Sequence, residues 1–317
     1  MSLPTYSLVI PVYNEEESLP ELRTRLAALL DQLDGPGEVV FVDDGSRDTS
    51  FAQIEAICHD DSRFKCVRLS RNFGHQIAIT AGLDAASGDA VVIMDADLQD
   101  PPEVVLEMAA RWRQGYEVVY AVRSERAGET KFKQMTAAMF YRLFRRLTDL
   151  DVPLDAGDFR LVDRRAVEAF RSMRENNRYV RGMFSWIGFN QTGVEYQRQE
   201  RFAGETKYPL RKMVRFAADA VVSFSDAPLR LTLTFGFLMS VVALLFGIAA
   251  IVAELAGLYR VPGLASIAVL IAFIGGVQLI VLGVVGAYVA RIHDEVKNRP
   301  LYLIREVRGL VDSVVER

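Results

Sequence analysis

A mostly parallel, doubly wound α/β domain followed by two membrane-spanning helices is the fold the sequence predicts, and three observations predict it. Short runs rich in Val and Ile alternate with longer helical patterns over the first two hundred residues; acidic and polar residues follow directly on several of those runs; and two long uncharged segments lie near the C-terminus. Of 317 residues, 50% are hydrophobic and 25% charged, and the formal net charge is -4. Those values belong to a folded chain, and the mild acidic excess offers no basic face for general nucleic-acid binding. Cys58 and Cys66 form no CxxC pair, and His59, His75 and His293 stand at no zinc-ligand spacing, which argues against a disulfide framework or a structural zinc site.

Taken in order, 7–12, 39–42, 64–69, 90–94 and 118–122 read as buried strands. Helices are expected between them at about 15–33, 48–58, 75–86 and 102–114, lengths that suit right-handed crossovers between parallel strands. Asn14 with Glu17 has the form of a capping box, and Asp100, Pro101, Pro102 and Glu103 supply an N-cap, helix-compatible prolines and a first-turn acid.

Ligands of such sheets bind beyond the carboxyl ends of the strands. Three ends carry polar chemistry here: Pro11 to Glu15 after the first strand, Asp43 and Asp44 after the second, and Asp95 to Asp100 after the fourth. No GxGxxG follows the first strand and no GxxxxGK[ST] occurs, which disfavours a dinucleotide oxidoreductase and a P-loop NTPase. Asp95 and Asp97 project to one side of an extended segment, where two like charges repel unless a cation joins them. Oxygen ligands with few histidines select Mg²⁺ or Mn²⁺, ions held by a couple of carboxylates plus substrate phosphate oxygens. A lone DxD serves turn or capping chemistry equally well; its position between a buried strand and a helix start is what favours the metal.

Segments 231–253 and 261–290 contain no charged residue. Each exceeds the roughly 20 residues a helix needs to cross a bilayer core, so a hairpin joined at 254–262 is expected, with a pair of buried core helices as the alternative. Lys207, Arg211, Lys212, Arg215 and Arg230 precede it, Arg291, Lys297 and Arg299 follow it, and the turn offers only Arg260. The positive-inside rule then places both termini and the α/β domain on the cytoplasmic side of the inner (plasma) membrane. The opening residues lack the basic start and apolar core of a secretory signal. The expected division is a cytoplasmic domain over 1–206, an amphipathic juxtamembrane segment over 207–230, the hairpin over 231–290 and a cytoplasmic tail over 291–317. The juxtamembrane segment reads equally as an ordinary surface helix.

PVYNE at 11–15, VDDGSRD at 42–48, SRNFG at 70–74 and MDADLQDPPE at 94–103 resemble the inverting nucleotide-sugar glycosyltransferases of GT-A fold. The resemblance continues through DAGDFRL at 155–161, RxxGxTKY at 201–208, the hairpin and VKNRPLY at 296–302, and within the family it points to polyisoprenyl-phosphate glycosyltransferases such as bactoprenol glucosyltransferases and dolichyl-phosphate mannose synthases. It implies that Pro11, Tyr13, Glu15, Asp43 and Asp44 hold the base and ribose. Asp95 and Asp97 would lie at the metal and diphosphate, Gln99 at the sugar or the metal's water, and Arg201 and Lys207 over the diphosphate. Arg123 is the candidate for the acceptor phosphate. Asp158 corresponds to the carboxylate proposed as base in similar enzymes, although a phosphate monoester with a second pKa of about 6 is already largely ionised at neutral pH. Several residues have plain structural readings beside these: Glu15 as a first-turn helix acid, Asp44 as an Asx turn before Gly45, Asp158 as an ion-pair partner of Arg160.

The reaction so implied is metal-dependent inverting transfer, with UDP-glucose favoured as donor, to undecaprenyl phosphate in the membrane by a homo-oligomer. GDP-mannose with dolichyl phosphate, a UDP-amino sugar, and a non-catalytic membrane-anchored nucleotide binder are the alternatives. One departure is Ala287, where relatives often carry glutamate.

Overall fold

The computed structural model describes residues 5–124, 156–199, 227–256 and 264–310. They fall into two compact units, one formed by 5–124, 156–199 and 299–310, the other by 227–256 and 264–298.

In the first unit, strands and helices alternate as β1 (Tyr6–Val12), α1 (Leu19–Gln32), β2 (Gly37–Asp43), α2 (Ser50–Asp60), β3 (Phe64–Leu69), α3 (His75–Ala85), β4 (Ala90–Ile93), α4 (Val104–Arg113) and β5 (Val118–Arg123). After these come β6 (Ala156–Asp163), α5 (Arg164–Ser172), α6 (Val180–Ile187), β7 (Gln191–Tyr196) and β8 (Ile304–Arg308). The eight strands form one sheet in the order β7-β5-β6-β4-β1-β2-β3-β8. β1 pairs in parallel with β2 and β4, β2 with β3, and β5 with β7. The expected mostly parallel α/β architecture is present.

The central strands are buried at every residue but Gly37, as a sheet covered on both faces requires, and their Val, Ile and Leu side chains form the core with Phe41, Phe64 and Phe159. Helix α1 contributes Leu19, Leu22, Leu26, Leu29 and Leu30, one face at helical spacing.

Two expected helix starts are corrected. The capping box of Asn14 and Glu17 does not form; α1 begins at Leu19 with a proline in its first turn, where a missing N–H costs nothing. Asn14 instead adopts a left-handed backbone (φ 55°) and accepts a hydrogen bond from Arg47 N at 2.8 Å. Likewise Asp100 does not cap α4, whose N-cap is Glu103, because its carboxylate is taken by the Tyr196 hydroxyl.

Topology places the site. The chain runs outward from β1 through β2 to β3 and then returns to lay β4 on the other side of β1, so the strand order reverses between β1 and β4. β6 runs antiparallel to β4 and β5. Its first residues therefore arrive at the edge where the parallel strands end, and with Arg160 opposite Ile93, Asp158 lies beside the loop that Asp95 opens.

β8 pairs antiparallel with β3. Just before it, the Tyr302 hydroxyl donates to Asp84 Oδ2 at 2.8 Å and Ser70 N donates to the Leu303 carbonyl at 2.8 Å. Part of the segment read as a separate tail, 291–317, thus belongs to the α/β sheet.

The second unit contains α7 (Ala227–Leu255) and α8 (Leu264–Val296). Windows Leu229–Ala249 and Phe273–Val296 have mean hydropathies of 2.3 and 2.1 and no part of either is buried. Leu231, Phe237, Phe246, Leu279 and Ile280 each stand open to the surroundings. Among the described residues these are two helices long and apolar enough to cross a membrane. Of the juxtamembrane segment, 207–226 lies outside the described residues.

Candidate active site at the carboxyl edge of the sheet

The ends of β1 and β2 are organised by backbone contacts. Asp43 closes β2 fully buried; its Oδ1 accepts from Ser46 N at 3.0 Å, and its Oδ2 lies 3.3 Å from Arg68 Nε without hydrogen-bond geometry. Asp44, also buried, accepts from Phe73 N at 2.7 Å with one oxygen and from Gly74 N at 2.9 Å with the other. Asp44 therefore secures the SRNFG turn rather than its own. Burial pushes the Asp44 carboxyl up despite those two bonds. The two turns touch so closely that a Cβ on Gly45 (φ 72°) would stand 2.7 Å from the Arg71 carbonyl carbon. Gly74 (φ 103°) then turns the chain into α3 and presents His75 at that helix's first position. Pro11 is buried in β1. Tyr13 is 41% exposed just beyond it. Glu15 donates its backbone N–H to Ser50 Oγ at 2.9 Å while its carboxylate accepts from Ser18 Oγ at 3.3 Å.

The loop after β4 carries Asp95, Asp97, Gln99 and Asp100. Asp95 Oδ1 is fully buried with no hydrogen-bond partner, and His75 Nε2 stands 3.4 Å away. Burial, reinforced by the neighbouring carboxylates of Asp158, Asp100 and Asp97 and only partly offset by His75, pushes the Asp95 carboxyl up to about 6. Asp97 is buried, and its Oδ1 accepts from Gln99 N at 3.1 Å. Between them Leu98 holds a left-handed backbone (φ 59°), a conformation a leucine adopts only when its surroundings force it; its side chain is buried. The end of β7 supports this loop. The Tyr196 hydroxyl donates to Asp100, Gln199 N donates to the Gln99 carbonyl at 2.9 Å, and Arg198 Nε lies 3.6 Å from Asp100. Arg123, the last residue of β5, reaches the same hydroxyl at 3.5 Å.

Asp158 completes the edge. Arg181 donates from Nε to Oδ1 at 2.8 Å and from Nη2 to Oδ2 at 3.2 Å, Gln76 Nε2 donates to Oδ2 at 3.4 Å, and His75 Nε2 is 3.5 Å from Oδ2. Burial alone would raise this carboxyl, but the Arg181 charge together with His75 and Arg160 outweighs it and holds Asp158 far below the usual carboxylate range. The ion pair read between Asp158 and Arg160 is corrected: the Arg160 guanidinium donates to the Gly157 carbonyl at 2.8 Å and the Asp158 carbonyl at 3.3 Å, not to the carboxylate. His75 itself is raised, because the two carboxylates more than offset its partial burial.

The structure thus gathers Asp95, Asp97, Gln99, Arg123 and Asp158 around one edge, with Tyr13, Glu15, Asp43 and Asp44 at the neighbouring strand ends. Arg201 and Lys207 lie outside the described residues. Sequence reasoning did not find His75, Gln76 or Arg181 as site residues, since Gln76 and Arg181 stand 82 and 23 positions from Asp158 and no local spacing links them. Among the described residues no three His, Cys, Asp or Glu side chains are grouped to enclose a metal by themselves. The donor set fits a hard cation held by two carboxylates and completed by substrate oxygens, and the orphaned Asp95 Oδ1 is the atom that fits it.

Comparison with known proteins agrees with this architecture. Residues 7–171 match the family described as Glycosyl transferase family 2. The uncharacterized glycosyltransferase YkcC of Bacillus subtilis is 49% identical over 98% of this chain and 97% of its own length. The uncharacterized glycosyltransferase sll0501 of Synechocystis is 45% identical over 96% of each. The bactoprenol glucosyl transferase of Shigella phage SfII is 39% identical over 95% of this chain and 97% of its own length. A chain whose strand-end carboxylates fall within the matched residues, and whose relatives align over both apolar helices as well, is a glycosyltransferase and belongs to glycosyl transferase family 2.

Proposed function

We propose that this enzyme transfers a hexose, with glucose from UDP-glucose favoured, to a polyprenyl phosphate at the inner face of a membrane. The observation that carries the reading is the joint presence, in one chain, of three carboxylates at the carboxyl edge of the sheet and two apolar helices whose side chains stand exposed among the described residues. The near full-length likeness to a bactoprenol glucosyl transferase supports the lipid acceptor.

The nucleotide sugar lies along the β1, β2 and β4 ends. Tyr13 offers a stacking face, Glu15 and Asp43 accept hydrogen bonds from base or ribose, and Asp95 and Asp97 would hold Mg²⁺ or Mn²⁺. When bound, the cation neutralises the charge that builds on the departing nucleoside diphosphate. An oxygen of the lipid phosphate attacks the anomeric carbon from the opposite side. The new carbon–oxygen bond forms as the bond to the β-phosphate breaks, its electrons leave with the diphosphate, and the configuration inverts. Arg123, beside Gly157 at the start of β6, supplies a charge for the acceptor phosphate.

The apolar helices extend this reading to topology. β8 follows α8 and pairs with β3 in the same sheet as β1 to β5, which supports a hairpin whose two ends share one side of the membrane. With the basic residues that flank the hairpin, that side is the cytoplasm, where nucleotide sugars are available.

The test incubates the purified full chain with Mg²⁺, undecaprenyl phosphate and a panel of UDP- and GDP-sugars, and weighs the lipid product. A lipid-linked hexose from UDP-glucose is expected. A product only from GDP-mannose or a UDP-amino sugar would change the donor, and absence of lipid product with every donor would remove the reading.

A further inference from the structure

We propose that Arg181 is a positioning residue for sugar transfer: entering from α6, it fixes both carboxylate oxygens of Asp158 so that this side chain faces the transferred sugar in a single orientation. The proposal rests on the reading that the chain transfers a sugar at this edge.

Three independent contacts converge on the pair. Arg181 engages Asp158 side-on, one nitrogen to each oxygen at 2.8 and 3.2 Å, the fork geometry that restricts both rotation and displacement of a carboxylate. Arg160, itself buried, fixes the backbone beneath by donating to the Gly157 and Asp158 carbonyls, and its guanidinium lies 5.1 Å from the Phe184 ring. Gln76 ties the parts together. Its amide nitrogen reaches Asp158 Oδ2 at 3.4 Å, and its carbonyl oxygen accepts from Val180 N at 2.9 Å, one of the first-turn N–H groups that has no acceptor within α6.

Arg181 stands on a rigid support. Val180, Gly182, Met183 and Phe184 of α6 are buried, and Phe184 stacks on Phe170 of α5 with ring centroids 4.8 Å apart and planes 11° from parallel. A guanidinium on the second residue of a helix seated this way has little freedom, and its partner inherits that order. With both oxygens of Asp158 held, the carboxylate acts as a fixed charge and hydrogen-bond acceptor beside the sugar. The lipid phosphate brings its own ionised oxygen, so transfer proceeds without a proton passing to Asp158.

The test is a double-mutant cycle on the full chain, reading kcat and KM for the nucleotide sugar separately. Arg181→Ala is expected to lower kcat about 100-fold with KM for the donor changed less than about threefold, and Asp158→Asn to lower kcat by at least as much. The double variant is expected to lose no more than Asp158→Asn alone, because Arg181 acts through that carboxylate. Added guanidinium ion is expected to restore part of the Arg181→Ala activity and none of the Asp158→Asn activity. If Arg181→Ala does not fold, Arg181→Lys, which keeps the charge and loses the fork, takes its place in the cycle with a smaller loss expected. Multiplicative losses in the double variant, or an Arg181 variant within twofold of wild type, would overturn the proposal while leaving the transfer reading intact. Failure of the wild-type chain to make any lipid-linked sugar would instead remove the transfer reading.

Discussion

The loop after β4 and the start of β6 each bring a carboxylate to the same edge, Asp95 half-buried and Asp158 buried, and the two share a neighbour: His75 Nε2 stands 3.4 Å from Asp95 and 3.5 Å from Asp158. Their electrostatic states are nevertheless opposite, with Asp95 raised to about 6 and Asp158 held far below the ordinary range. Burial pushes both the same way, so partners decide the difference. Asp158 has Arg181 and Gln76 on its oxygens, whereas Asp95 Oδ1 is buried without a hydrogen bond. The protein donates hydrogen bonds to both oxygens of one carboxylate, and leaves Oδ1 of the other with His75 as a neighbour but no hydrogen bond.

The largest effect that tests this contrast is on catalysis. Under the proposed function Asp97→Asn and Asp95→Asn are each expected to lower kcat/KM by about 10³-fold or more, since the charge on the leaving diphosphate would then lack its counter-ion. The measurement is lipid-product formation at several Mg²⁺ concentrations alongside a melting curve. Turnover within tenfold of wild type, with the fold intact, would remove the metal role of the substituted residue.

Stability separates the two carboxylates more directly. In the metal-free protein Asp95→Asn is expected to change the melting temperature little, because Asp95 Oδ1 accepts no hydrogen bond and the side chain is 34% exposed. Asp158→Asn leaves Arg181 without its anion and is expected to cost about 1–3 kcal/mol, less than a fully buried pair because the Arg181 side chain is 31% exposed. Denaturant midpoints of the two variants provide the check, and equal destabilisation by both would break the contrast.

The same contrast has a sign in pH. A carboxyl raised to about 6 in the folded state contributes stability that is complete below its unfolded value and lost as pH rises through 6. His75, raised from 6.5, loses its contribution as pH rises above that value. Asp158, depressed, contributes above its unfolded value and loses that only as pH falls below about 4, so it is flat between pH 5 and 7.5. The metal-free wild type is therefore expected to melt higher at pH 5.5 than at 7.5, and Asp95→Asn to reduce that slope. Under the proposed function Mg²⁺ binds the ionised Asp95, so its stabilisation is expected to be greatest at pH 7.5 and to fade toward pH 5.

How much of this was legible in the sequence follows from range. The four βα units and β5 that follows them were readable because Val- and Ile-rich runs such as 7–12 and 90–94 advertise strands buried on both faces, and the observed strands agree with them to within a few residues. The acidic strand ends followed from the rule about carboxyl edges. β6 was not readable: DAGDFRLVD at 155–163 mixes charge into a strand whose partners, β4 and β5, are distant in the chain. β8 was missed for the same reason, since Ile304–Arg308 is short and polar and gains its place only by pairing with β3. Arg181 and His75 carry no local signal at all. A basic residue acquires meaning here only after an antiparallel strand has brought Asp158 to the edge.

The smallest predicted effect probes what holds the Asp95 loop open while Asp158 is clamped. Tyr196 donates its hydroxyl to Asp100, three residues beyond Asp97, and touches Arg123 with the same atom. Burial and Asp100 together push that hydroxyl well above its usual range, so it remains a donor at every working pH. Tyr196→Phe keeps the ring, which packs edge-on against Phe159 at 5.9 Å, and deletes only the donor. The expected cost is about 1 kcal/mol of stability, with a rise of several-fold in the Mg²⁺ concentration needed for half-maximal turnover and little change in kcat at saturating Mg²⁺. Such a shift would identify Tyr196 as support for the cation side of the edge alone. A loss confined to kcat would mean instead that the two sides act as one unit, since Arg123 and Phe159 are the routes by which the substitution can reach Asp158.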